Sequence, residues 1–260
     1  MLGAAEPPRP LGVQALPQCQ QPLGSFGTAG AAAGDMTVLA DSGFDFLLFD
    51  TQHTPVEVKQ LIPNIQSIKG KKAKPIIRVS RNQPDLICFA LDAGAMGIVV
   101  PMVNTKEEAE AMVRACRYAP DGDRSHSGPR GEFGEAADYR SYLDMVNEEL
   151  LIIPMIETQQ AIDNLDEILS VSGIDVLLIG PSDLSIELKT PLDYTSDAYT
   201  KGLDAIASAC KRHGVVPGMY FIPPTLDPND LIAKGYKFFT QPWAPWATEG
   251  IKKGLSGINR

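Results

Sequence analysis

A chain of 260 residues, 44% hydrophobic and carrying a formal charge of −9, is long enough for one large core and too acidic to offer the basic face that a nucleic-acid partner requires. Its four cysteines, Cys19, Cys88, Cys116 and Cys210, stand far apart without CxxC or Cys/His spacing, which gives no sign of a zinc site or disulfide framework and fits reduced thiols in a cytoplasmic protein. No stretch of about twenty uninterrupted apolar residues exists and the start lacks a secretory pattern, so no membrane partner is expected.

Residues 1–22, rich in Pro, Ala and Gln with weak periodicity, read as an N-terminal arm that is either mobile or packed on a neighbouring subunit. Residues 23–260 read as a single domain in which short apolar runs alternate with amphipathic stretches, the mark of βαβ units around a parallel sheet. The predicted strands are Gly24 to Thr28, Asp45 to Phe49, Pro75 to Val79, Gly97 to Val100, Leu150 to Ile156, Asp175 to Ile179, Val215 to Met219 and Tyr236 to Thr240. Between them, Val56 to Ile68, Lys106 to Arg117, Thr158 to Val171 and Ala198 to His213 carry apolar residues at helical spacing. Gly94, Gly173, Gly214 and Gly235 sit where a left-handed helix cap leads into the next strand. Eight strand-helix units predict an α/β fold closed into a (β/α)₈ TIM barrel, with an open doubly wound sheet as the alternative, weakened by the missing GxGxxG after the first strand.

In such a barrel the chemistry sits where strands run into helices. Asp50-Thr51-Gln52-His53, Arg78, Glu157 and Gly180-Pro181-Ser182-Asp183 all fall at such ends. Glu157 and Asp183 emerge from buried runs, and two carboxylates with open positions suit a hard divalent ion such as magnesium or manganese; capping of the following helices is the competing role. Arg78 is placed to grip a carboxylate or stabilise an enolate, or else to form an ion pair with an acid of a neighbouring strand. His53 is placed to move a proton, with Asp50 or Asp92 to orient it. His213 closes a basic helix end and is given no catalytic role. Arg124, His126 and Arg130 fall in the Gly/Pro-rich stretch Ala119 to Gly134, read as a solvated loop or a lid, and Trp243 and Trp246 as packing or subunit-contact residues.

The phrases Gly43-Phe-Asp-Phe-Leu-Leu-Phe-Asp-Thr-Gln-His53, Val99-Val-Pro-Met-Val103, Ile156-Glu-Thr158 and Ile179-Gly-Pro-Ser-Asp-Leu-Ser185 together resemble the HpcH/HpaI aldolase family, the 4-hydroxy-2-oxoheptanedioate aldolases. The resemblance implies a barrel of the phosphoenolpyruvate/pyruvate-domain type acting as a class II pyruvate aldolase, a metal-dependent lyase whose Mg²⁺, Mn²⁺ or Co²⁺ is bound by Glu157 and Asp183. It implies that Arg78 stabilises the pyruvate enolate, that His53 paired with Asp92 transfers the proton, and that main-chain groups around Ser182 and Asp183 hold the carboxylate of a 2-oxo acid that joins or leaves an aldehyde. It also implies a homo-oligomer, typically a hexamer, with the last helix in subunit contacts.

Departures from the family pattern cluster near this site. Gln52 stands where an acid is usual, and Met155 replaces a polar glutamine two residues before the metal glutamate. Arg124-Ser-His-Ser127 replaces Arg-Gly-x-Gly, and Phe26 stands for a tryptophan. Tyr220, read as a substrate-pocket residue, and Phe221 are bulkier than the usual small aliphatics. A decarboxylase of the oxaloacetate type, a biosynthetic lyase with an aromatic or long-chain partner, and a catalytically silent barrel serving as a binding or assembly subunit are therefore the alternative functions.

Overall fold

The computed structural model describes residues 25–29 and 36–256; the arm over residues 1–22, with Cys19, lies outside the described residues. In chain order the elements are β1 (Ser25–Ala29), α1 (Met36–Ala40), β2 (Phe46–Asp50), α2 (Val58–Ser67), β3 (Lys74–Arg78), α3 (Pro84–Asp92), β4 (Gly97–Val100), α4 (Lys106–Cys116), α5 (Tyr139–Glu149) and β5 (Leu151–Ile156). They continue with α6 (Gln159–Asp163), α7 (Leu165–Leu169), β6 (Val176–Ile179), α8 (Pro181–Glu187), α9 (Asp197–His213), β7 (Val216–Met219), α10 (Pro228–Ala233), β8 (Phe238–Gln241) and α11 (Trp243–Leu255).

Each strand pairs in parallel with the next, and β8 returns to β1 with Gly27 opposite Thr240, so the sheet is a closed barrel. That closure excludes the open doubly wound sheet. Successive residues of a strand face opposite sides, and the two sides here build two cores. Phe46, Leu48, Ile76, Val99, Leu151, Ile153, Met155, Val176, Leu178 and Phe238 fill the barrel interior, where the Phe46 and Phe238 rings stack 4.4 Å apart. Their neighbours Leu47, Phe49, Ile77, Ile98, Ile152, Leu177 and Phe239 face outward into a second layer under the helices. Strands buried on both faces explain why they read as near-continuous apolar runs.

The helices depart from expectation in two places. The stretch from Thr158 to Val171 is two short helices, broken at Asn164, whose side-chain amide donates to the Asn104 carbonyl at 2.8 Å. The loop from Ala119 to Gly134 forms no helix, but it is not uniformly solvated: Arg124 is buried, its guanidinium over the Tyr118 ring at 4.6 Å. Gly214 takes the left-handed cap at the end of α9, with φ 71°. Among the described residues, no helix is long and apolar enough to cross a membrane.

Candidate active site

Strand parity selects the site. Continuing the inward sets by two residues from Leu48, Ile76, Met155 and Leu178 leads to Asp50, Arg78, Glu157 and Gly180 at one rim. Asp50 and Arg78 are register partners in β2 and β3, and the arginine grips the acid with two bonds, Nε to Oδ1 at 2.8 Å and Nη2 to Oδ2 at 2.6 Å. Both groups are buried. Burial alone would raise the Asp50 pKa, but the Arg78 hydrogen bonds and charge reverse that and hold it below the ordinary carboxylate value. Of the two roles open to Arg78 from sequence, the ion pair to a neighbouring strand is present, and it aims the guanidinium rather than removing it from the mouth. The Tyr220 ring covers the guanidinium at 4.1 Å, and Nη1 points to the Met155 sulfur at 3.9 Å. Burial pushes the Tyr220 hydroxyl up to about 12 against the lowering charge of Arg78, so it stays a neutral donor.

Glu157, 1% exposed, follows β5 and accepts the Met102 N–H on Oε2 at 2.8 Å. Burial raises its pKa most, and the nearby Asp183 carboxylate raises it further, against the lowering effects of the Met102 N–H and Arg78. A side chain at Gly180 would lie on top of Glu157 Oε1, so glycine is what lets the carboxylate rest against this turn. Asp183, in the first turn of α8, is exposed toward the mouth. Two neighbouring carboxylates, one of them buried, fit a hard divalent cation that completes its shell with water and ligand oxygens. Among the described residues no third His, Cys, Asp or Glu joins them.

The N–H groups of Ser182 and Asp183 precede the first intrahelical bond of α8, Leu184 N to Gly180 O at 3.0 Å, and point out of the helix start. His53 is exposed, and its charge acts on Asp50. Asp92 does not meet it: within the chain the Asp92 carboxylate is bound to Arg124 at 3.2 Å and Arg130 at 2.8 Å. The expected His53–Asp92 pair is therefore not made within the chain: His53 follows the C-terminal end of β2, whereas Asp92 closes α3 at the end that leads back into β4 and there meets two cations of the loop after α4. Arg124, expected in solvent, is one of them. His213, at the end of α9, binds Asp166, and Trp246 stacks on Phe44, a packing contact.

Sequence reasoning missed Met102. It has a left-handed φ of 56°, which a non-glycine residue rarely adopts, and nothing local in Val99-Val-Pro-Met-Val103 announces that conformation.

Residues 28–241 match the family model described as HpcH/HpaI aldolase/citrate lyase. A hydroxypyruvate/pyruvate aldolase from Roseovarius nubinhibens is 38% identical over 151 residues, 58% of this chain and 59% of that protein, so the match spans less than two thirds of that relative's length. A 5-keto-4-deoxy-D-glucarate aldolase from Shigella dysenteriae serotype 1 is 35% identical over 203 residues, covering 77% of this chain and 78% of its own. A crystal structure of an HpcH/HpaI aldolase/citrate lyase family protein from Burkholderia cenocepacia J2315 superposes with a TM-score of 0.78 at 26% identity, over 91% of this chain and 95% of that one.

Proposed function

The chain belongs to the HpcH/HpaI aldolase/citrate lyase family, a family of lyases on a barrel fold, and from that premise we propose that it is a metal-dependent carbon-carbon lyase that makes or breaks a 4-hydroxy-2-oxo acid through a pyruvate enolate. The observation that carries the reading is the meeting of Glu157, its neighbour Asp183 and a pre-oriented Arg78 at one end of the barrel. Glu157 and Asp183 hold the divalent cation, magnesium, manganese or cobalt, which when bound supplies Lewis-acid stabilisation of the negative oxygen of an enolate.

The chain's own groups do the rest. The N–H groups of Ser182 and Asp183 take the carboxylate of the 2-oxo acid, as free donors at a helix start do. Arg78, its direction fixed by Asp50, presents a charge to the enolate oxygen without having to reorganise when that charge appears. His53 takes or returns the proton, with Asp50 as the acid in its surroundings and Asp92 occupied by Arg124 and Arg130. Tyr220 and Met155 wall the guanidinium off from water and narrow the space beside it. The relatives named for hydroxypyruvate/pyruvate and for 5-keto-4-deoxy-D-glucarate support a small 2-oxo acid with an aldehyde partner. A cytoplasmic homo-oligomer, a hexamer by family resemblance, completes this reading.

The crowding of Arg78 by Tyr220 and Met155 favours one second reading, decarboxylation of an oxaloacetate-like acid, which uses the same enolate and needs no aldehyde pocket. Exchange of the pyruvate C3 protons into deuterated water, followed by NMR with and without manganese, tests the shared step. Metal-dependent exchange that disappears on chelation and in Arg78→Ala is the expected result. Full exchange in the presence of a chelator would overturn the metal-dependent mechanism, and no exchange under any condition would move the chain to the silent class. Product analysis with aldehydes or with oxaloacetate then separates lyase from decarboxylase.

A further inference from the structure

We propose that Asn104 is a positioning residue, a clasp that keeps the Met102 N–H locked on Glu157 and so decides which glutamate oxygen remains for a ligand; the role rests on the metal-site reading above. The turn after β4 holds Met102 at φ 56° while the residue is 46% exposed, so burial does not account for the conformation. What holds it is Asn104. Its side-chain amide donates to the Met102 carbonyl at 2.9 Å, and its Oδ1 accepts the hydroxyl of Thr158, the residue next to Glu157 and the cap of α6.

The clasp is itself fixed from both sides. Its N–H donates to Glu108 Oε2 at 2.6 Å, within the capping box that starts α4, and its carbonyl accepts from Asn164 at the break between α6 and α7. One side chain thus ties the strained turn to the residue adjoining the buried carboxylate. With Oε2 on the Met102 N–H, Oε1, lying over Gly180, is the oxygen that the turn does not engage. If Asn104 is removed, Met102 relaxes toward ordinary φ, its N–H leaves, and Glu157 loses its bond from the turn and its fixed orientation.

The test is manganese binding to the full chain, read by electron paramagnetic resonance of the free ion, with kcat and KM measured alongside and native folding checked by circular dichroism. Asn104→Ala is expected to bind manganese about tenfold more weakly, the scale of a left-handed residue's penalty. Adding Met102→Gly to Asn104→Ala is expected to return affinity toward wild type, because glycine adopts the turn without a clasp. A purely structural role for Asn104 would not be rescued at that position. Wild-type affinity in a folded Asn104→Ala chain, or no rescue in a folded double variant, overturns the clasp alone. Absence of manganese binding by the wild type overturns the metal assignment and this role with it.

Discussion

Two buried carboxylates sit at opposite ends of the same barrel. Glu157 stands at the C-terminal rim after β5, and Asp175 at the N-terminal rim before β6. Each is almost wholly buried and each accepts one backbone N–H, from Met102 at 2.8 Å and from Ile152 at 3.0 Å. Each is pushed by burial toward its neutral form, Asp175 up to about 7. By depth and titration alone they would be equal candidates for catalysis. They differ in what surrounds them. Glu157 has a second carboxylate, a guanidinium aimed by its own acid and an open turn beside it, whereas Asp175 feels only Arg117 and leaves Oδ1 without a partner. A perturbed acid signals function when other groups converge on it, and signals stored instability when they do not.

The sharpest way to break that contrast is Glu157→Gln. The amide oxygen still accepts from Met102, so the barrel is expected to fold while C3 exchange falls on the order of 10²–10³-fold, as when a charge-stabilising group is removed from a reacting oxyanion. A variant that kept wild-type exchange would make the two acids equivalent after all. Next, Asp50→Asn leaves Arg78 buried without its counter-charge and is expected to cost about 3–5 kcal/mol of stability, measurable by urea unfolding. An unchanged midpoint would mean that the guanidinium finds another partner.

Asp175→Asn should act in the opposite sense, on stability and not on turnover. Between its ordinary 3.8 and about 7 the folded chain keeps a proton that the unfolded chain gives up, so wild-type stability falls as pH rises through that window and levels off above it. The variant lacks this fall and should gain about 2–3 kcal/mol on the wild type between pH 5 and pH 8. Parallel pH profiles for the two chains would refute it. The smallest effect is expected from Tyr220→Leu, which removes the ring from Arg78: about 1 kcal/mol in kcat/KM for pyruvate exchange, with larger aldehydes better accepted. Unchanged partner selectivity would remove Tyr220 from the acceptor wall.

Most of the frame was legible in sequence, because strands buried on both faces leave short apolar runs whose length and flanking glycines mark them as strands; the run ending at Ile156 is β5 almost to the residue. The placement of Glu157, Arg78 and Asp183 at strand ends was legible for the same reason, Glu157 and Arg78 being the first polar residues of their runs and Asp183 standing just after Gly180-Pro-Ser182. What was not legible depends on contacts between distant segments. The helix break at Asn164 answers to a carbonyl sixty residues earlier. Arg124 lies in a stretch whose composition reads as solvated, and the Asp92 carboxylate and the Tyr118 ring draw it inward. The left-handed Met102 has no signature within Val99 to Val103, since its N–H bonds across to Glu157 and its carbonyl accepts from Asn104, which Thr158 in turn bonds from the next strand's end.

The alternation that places these side chains also sets which changes of chain length this protein can survive. One residue inserted within Leu151–Ile156 would exchange the two faces of β5 beyond it and turn Met155 from the interior toward the helices. The same residue inserted between Arg117 and Asp138, where no strand or helix has to keep count, would leave every inward position unchanged. Across related chains, length variation should therefore collect in that connection, which leads from the end of α4 back to the start of β5 on the face away from the mouth, and spare the strands, so that the outline of that face changes over a reading frame of side chains that stays constant.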